Sequence, residues 1–285
     1  MALVTSFVGE SIVDATTFRL DAGGAESNVA AHAAALGVSA SWFSRLGDDA
    51  LGRRILRQLA ARGIDVSSVV IDALHQTGLY VKDPGKPVSY YRADSAAAHL
   101  GPADVAHVPL GGVDILHVSG ITAAISSSAH AFLDALISTA KDGGVAVSFD
   151  VNHRASLWKA DRAADVLDAL ARHADVVFVG RDEAELLWGT ALASDVRARF
   201  PDTAELVVKD AEHGATAFTA DGGVFEASER VEVVDAVGAG DAFAGGYLAA
   251  RLTGAPIAAR LRAGHARAAL TLRTTADSID ERPAR

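Results

Sequence analysis

The sequence predicts an α/β protein with a mostly parallel central sheet, and three observations carry that expectation. Short apolar runs alternate with helical periodicities from the first residues onward. Several of the runs are apolar almost throughout, as strands buried on both faces of a sheet must be. Near the carboxyl end a glycine-rich turn, Asp235-Ala-Val-Gly-Ala-Gly-Asp-Ala-Phe-Ala-Gly-Gly246, opens into a helix of small apolar residues.

Residues 3–8 read as a short central strand ending at Gly9-Glu10. A helix is predicted over 24–36 from Ala30, Ala31, Ala33, Ala34 and Ala35, with Gly37 as its stop. Residues 41–45 read as extended, followed by an amphipathic helix over 49–62 whose apolar face is Leu51, Ile55, Leu56 and Leu59. The alternation breaks at 75–92, where 79–82 and 88–92 form a hairpin turned at 83–87. Tyr90 and Arg92 share a face of that hairpin and Tyr91 takes the other. An aromatic ring beside a guanidinium suits a polar, anionic small molecule, and suits an ordinary solvent-exposed edge hairpin as well.

Beyond Pro102 and Pro109 the rhythm returns, with strands predicted at 113–118, 145–150 and 176–179 and helices at 127–141 and 161–173. Polar residues gather at the strand ends, in Ser119-Gly120, Asp150-Val-Asn-His-Arg154 and Gly180-Arg-Asp-Glu183. In open α/β sheets these carboxyl ends carry the ligand site. A strand at 206–209 leads to a hairpin, 215–219 with 223–226, turned at Asp221-Gly222, and the chain closes with a helix over 257–272 and a dozen polar residues expected to fray. No linker or repeat divides the 285 residues, which are read as one domain.

Composition excludes several functions. Half the residues are hydrophobic, yet no run is long enough to span a bilayer, and no secretory signal is visible at the start, so no membrane partner is expected. With 36 acidic against 26 basic residues the net charge is −10, and no basic block offers a surface to nucleic acid. The absence of cysteine leaves neither disulfides nor thiolate metal sites and suits the cytoplasm. The ten histidines form neither His-x-His nor His-Glu-x-x-His, and the Gly-x-Ser-x-Gly, Walker and dinucleotide fingerprints are missing.

The glycine-rich turn is the informative stretch. Gly238, Ala239 and Gly240 let backbone amides converge at a helix N-terminus, which suits a phosphate. Asp241 follows in the first turn, placed either to cap the helix or to take a proton from a hydroxyl attacking a phosphoryl group.

Residues 235–246, together with Gly23-Gly-Ala-Glu-Ser-Asn-Val-Ala30 and Arg45-Leu-Gly-Asp-Asp-Ala-Leu-Gly52, resemble the carboxyl- and amino-terminal signatures of the ribokinase-like (PfkB) carbohydrate kinases. The likeness runs over nearly the whole chain. It implies a three-layer α/β/α sandwich with a small β lid, ATP and Mg²⁺ as cosubstrates, and phosphorylation of a sugar hydroxyl. Asp241 is then the general base and Gly238, Ala239 and Gly240 the anion hole, with Asp14, Gly24 and Asn28 as sugar contacts. Glu183 matches a family acid that helps to place magnesium through water. Lys209, Gly214, Gly238, Gly240 and His265 fall on the nucleotide side, and Asp235 lies where a monovalent cation binds in some members. Thr77-Gly-Leu-Tyr80, Tyr90-Tyr-Arg92 and Asp150-Val-Asn-His-Arg154 are most similar to 2-keto-3-deoxygluconate kinases, which implies that Arg92 and Arg154 hold a substrate carboxylate and that Tyr80 and Tyr90 meet sugar oxygens. A fructokinase or other neutral-sugar kinase is the alternative, and a non-catalytic sugar- or nucleotide-binding relative a more distant one.

The chain departs from the family pattern at Ala236 (usually threonine), Gly180 (asparagine), Ala211 (glycine) and His265 (asparagine). Eight residues separate Asp14 from Gly23, where relatives insert a longer β excursion. The lid, expected from residues 11–22 and 75–93, is therefore shortened, and pairing of two chains as a homodimer through it is left open.

Overall fold

The computed structural model describes residues 1–7, 10–83, 86–277 and 279. The end of the first predicted strand, Val8-Gly9, the tip of the hairpin turn, Pro84-Gly85, and most of the terminal polar stretch lie outside them. The chain begins β1 (Ala2–Thr5), β2 (Arg19–Ala22), α1 (Ala25–Ala35), β3 (Ala40–Ser41), β4 (Arg45–Gly47), α2 (Ala50–Ala61), β5 (Ile64–Asp65), β6 (Val70–Asp72), β7 (Leu79–Lys82) and β8 (Ser89–Tyr91). It continues with β9 (Ile115–Ser119), α3 (Gly120–Ile125), α4 (Ser127–Asp142), β10 (Ala146–Asp150), α5 (Ala160–Arg172), β11 (Val176–Gly180), α6 (Arg181–Trp188) and α7 (Ala193–Arg199). The last elements are β12 (Glu205–Asp210), β13 (Gly214–Thr219), β14 (Gly222–Ala227), α8 (Ala239–Leu252) and α9 (Ile257–Leu272). Backbone contacts gather these into two units, one of Met1–Leu100, Glu232–Gly245 and Arg267–Arg285, the other of Gly101–Val231 and Gly246–Ala266.

The first unit is organised on a four-stranded sheet in the order β2-β1-β7-β8. β1 runs parallel to β7, with Leu3 opposite Tyr80, and antiparallel to β2, with Ala2 opposite Ala22. The first strand is thus an inner strand of this smaller sheet and not of the mostly parallel one. β2 has little strand propensity in its Arg-Leu-Asp-Ala sequence, and only its pairing with β1 makes it a strand. The extended stretch expected at 41–45 is split into β3 and β4, which pair with different partners, β5 and β6. α2 forms where its periodicity predicts. Asp49 caps it by accepting from the Gly52 N–H at 2.7 Å, and its second oxygen accepts from the Thr77 N–H, which ties the helix to the approach to β7. Ile55 and Leu59 carry its apolar face into a core with Trp42, Leu46 and Ile64.

The second unit holds a six-stranded sheet, β14-β13-β12-β11-β10-β9, parallel from β9 to β12 and completed by an antiparallel hairpin. Every residue of β11 is buried, which explains its unbroken apolar sequence. α4 lays Phe132, Leu133, Leu136 and Ile137 inward and α5 lays Ala163, Leu167 and Leu170 inward. Each fully buried large side chain of this kind is worth about 1.5–3 kcal/mol. α3, α6 and α7 are too short or too charged for periodicity to announce them. α6 starts because the Glu183 carboxylate reaches back to the Gly180 N–H at 2.8 Å, one half of a capping box whose other half Gly180 has no side chain to supply. Among the described residues no helix is long and apolar enough to cross a membrane.

Candidate active site

Sequence dictates the first cluster through glycines. Gly24 caps α1 at φ +143°, and a Cβ at the neighbouring Gly23 would fall 1.9 Å from the Tyr80 hydroxyl, so only glycine lets the α1 turn lie against that ring. Gly238, at φ +85°, bends the chain before α8, and a Cβ there would stand 3.0 Å from the Asp277 carbonyl. Asp241 follows in the first turn of α8, only 7% exposed, and its Oδ2 accepts a hydrogen bond from Asn28 Nδ2 at 2.8 Å. The two signature segments, 213 residues apart in sequence, therefore meet side chain to side chain. A buried carboxylate fixed by an amide, beside the amide-rich start of a helix, is equipped to hold an anion and to receive a proton.

The hairpin adds the next layer. Tyr80 stands opposite Tyr90 across β7 and β8, their rings stacked at 5.9 Å, and the Arg92 guanidinium lies 4.3 Å over the Tyr90 ring while Tyr91 faces solvent. This is the face assignment that strand alternation predicts. Tyr80 is nearly inaccessible and gives its hydroxyl hydrogen to Asp277. Burial, then the Asp277 charge, raises its phenol well above the ordinary range. Lys82 bridges Asp235 and Asp277. Asp14 is exposed in a turn, and its side chain joins none of these bonds.

The second unit gathers the strand-end residues. Asp150, 2% exposed at the end of β10, is held by Lys209 Nζ at 3.0 and 3.1 Å. Asn152 turns the chain at φ +41°, a conformation asparagine tolerates, and the next N–H, of His153, donates to Glu183 Oε1 at 2.9 Å. Burial raises the Glu183 carboxyl, opposed by Lys209 and more weakly by Arg154. Gly214 is obligatory, since a Cβ would meet the Glu226 carbonyl at 2.3 Å. Ala211 occupies φ +42°, a left-handed conformation that favours glycine. His265 donates through Nε2 to the Glu226 carbonyl at 3.1 Å, and burial lowers its imidazole.

Two members of these clusters escape the sequence reading. Asp150 was visible as an acid at a strand end, but only Arg154 of its segment was singled out. Asp277 lies in the stretch expected to fray, yet it is 3% exposed and bonded to Tyr80, Lys82 and, through its carbonyl, His32 Nε2. The one local signal was Lys82 itself, a charge within an apolar strand that needs a counter-charge from elsewhere.

Comparison with known proteins finds relatives over nearly the whole chain. Residues 2–284 match the pfkB family carbohydrate kinases. A 2-dehydro-3-deoxygluconokinase of Bacillus subtilis is 36% identical over 95% of this chain and 86% of its own. A 2-dehydro-3-deoxygalactonokinase of Haloferax volcanii is 35% identical over 92% of this chain and 85% of its own. The crystal structure of a Thermotoga maritima 2-dehydro-3-deoxygluconokinase superposes with a TM-score of 0.89 at 25% identity, covering 98% of this chain and 92% of that one.

Proposed function

Since this chain belongs to the PfkB family of carbohydrate kinases, we propose that it transfers the γ-phosphate of ATP to the terminal hydroxyl of a sugar acid, 2-keto-3-deoxygluconate (2-dehydro-3-deoxygluconate). The observation that carries the reading is the Asn28–Asp241 bond at the head of α8, next to the turn at Gly238.

Asp241 takes the proton of the attacking hydroxyl as the new O–P bond forms. The bond from the γ-phosphorus to the bridging oxygen breaks, and ADP leaves with that electron pair. Asn28 fixes the plane of the carboxylate, and the amides of Gly238, Ala239 and Gly240 stabilise charge on the transferring group. Gly24, Asn28 and Tyr90 line the sugar side in this reading, with Arg92 and Arg154 holding the acid end. Tyr80, its hydroxyl engaged by Asp277, acts through the stacked Tyr90 ring. Lys209, Gly214 and His265 remain the nucleotide side.

A divalent metal fits the second unit. Asp150, buried and held by Lys209, and the half-buried Glu183 would hold it as an all-oxygen donor pair of the kind Mg²⁺ takes, with Glu183 acting through water. When bound, the ion neutralises phosphate charge. A monovalent cation does not fit beside Asp235, because Val237 N–H occupies Oδ1 at 2.9 Å and Lys82 Nζ occupies Oδ2 at 2.8 Å.

Asp241→Asn is expected to bind both substrates while kcat falls by about 10²–10⁴, measured by coupled ADP release. Near-normal turnover would remove Asp241 from the role of base. Arg92→Ala is expected to raise KM for the sugar acid by at least about tenfold with a smaller change for a neutral sugar. An unchanged KM would show that no carboxylate is held there.

A further inference from the structure

Lys82 closes β7 with its side chain directed into the protein, only 5% of the residue exposed. Its ammonium stands 2.8 Å from Asp235 Oδ2 and also bonds Asp277 Oδ1. The remaining oxygens of both carboxylates are engaged as well, Asp235 Oδ1 by the Val237 N–H and Asp277 Oδ2 by the Tyr80 hydroxyl. One ammonium thus bonds two acids drawn from separate stretches. The first opens the glycine-rich turn and the second packs its backbone against Gly238. A buried ammonium is costly to desolvate and is retained where oppositely charged groups surround it.

A dissolved monovalent ion would bring a positive charge to the carboxylate of this turn, and here that charge is covalently attached. Lysine is a compact point charge with three donors, and two of them are spent on Asp235 and Asp277. A second cation at the same carboxylate would meet like charge at short range. Resting on the reading of residues 238–240 as the phosphate cradle, we propose that Lys82 is a built-in monovalent cation. It ties Asp235 to Asp277, holds the turn in the conformation that presents its amides, and frees phosphoryl transfer from any requirement for potassium or sodium. Lys82 is in this sense a positioning residue that touches neither substrate.

The test compares potassium, sodium and tetramethylammonium chlorides as the sole monovalent salt at constant ionic strength, reading both sugar-acid turnover and the thermal midpoint. The wild-type protein is expected to keep kcat/KM within about twofold across the three salts and to show no ion-selective rise in midpoint. Lys82→Met, which removes the charge and keeps much of the stem, is expected to lose about tenfold in turnover in tetramethylammonium and to recover activity and midpoint selectively in potassium. A purely structural lysine would give no such ion-selective rescue. Potassium stimulation of the wild type by about tenfold, or a selective rise in its midpoint, would overturn the proposal. So would a Lys82→Met protein that matches the wild type in tetramethylammonium. If that variant does not fold, the wild-type salt comparison decides alone. Should no sugar or sugar acid be turned over, the kinase reading of the cradle fails, whereas the wild-type midpoint still reports whether a dissolved cation binds.

Discussion

At the scale of single residues, conformation separates positions that only glycine can fill from one where an alanine is held at a cost. Gly23, Gly214 and Gly238 stand where a Cβ would meet, respectively, a hydroxyl, a carbonyl and the Asp277 backbone. Ala211 is the converse, an L-residue held at φ +42°, where glycine would be unstrained. The left-handed conformation costs an alanine about 1–2 kcal/mol, and the extra freedom of glycine in the unfolded chain returns about 0.5–1 kcal/mol of that. Ala211→Gly is therefore expected to stabilise the protein by about 0.5 kcal/mol, or to raise the thermal midpoint by about 1–2 °C. A lower midpoint would mean that the Ala211 methyl makes a compensating contact. The same scale shows what sequence can reveal. Asp241 was legible because its acid follows a glycine-rich turn at a helix start, and Tyr90 with Arg92 because strand alternation places them on one face. Asp277 was not, since its meaning lies in Tyr80, 197 residues away.

At the scale of elements, α1 and the start of α8 pack without room for larger groups, a Cβ at Gly245 falling 2.6 Å from His32 Cβ. His32 is fully buried there, accepting from Arg267 through Nδ1 and donating through Nε2 to the Asp277 carbonyl. Burial, reinforced by the Arg267 charge, lowers its imidazole to about 4 from 6.5. The folded protein thus keeps His32 neutral where the unfolded chain protonates it. Stability from this group is present above pH 6.5 and is lost as pH falls from there toward about 4. The full loss is about 3 kcal/mol, reached near the lower end of that range. Thermal midpoints across pH 4–7 are expected to show this slope, and His32→Asn, which offers one acceptor and one donor without titrating, is expected to flatten it. An equally steep profile in the variant would assign the slope to other groups. Periodicity found α2, α4 and α5 because each shows one continuous apolar face. It missed α6, whose start depends on Glu183 reaching back to a glycine, and β2, which exists only by pairing with β1.

At the scale of the whole molecule, the α/β class was readable because buried parallel strands are mostly apolar, as β11 is throughout and β10 is apart from Ser148 and its terminal Asp150. The placing of the first strand was not, because a four-residue apolar run says nothing about which sheet it joins. Asp241, the Gly238–Gly240 turn, the hairpin aromatics and Arg92 all belong to the first unit, which is assembled from three separate stretches of chain. A motif-level reading could join them only through resemblance to a family. The choice of substrate rests on Arg92, Arg154 and the names of relatives, which differ between two epimeric keto-deoxy acids, the gluconate and the galactonate. Coupled ADP release with ATP and Mg²⁺, run across 2-keto-3-deoxygluconate, 2-keto-3-deoxygalactonate, fructose and ribose, tests this most directly. The prediction is a kcat/KM for a keto-deoxy acid at least about tenfold above that for either neutral sugar. Turnover of fructose or ribose without turnover of either acid would contradict it.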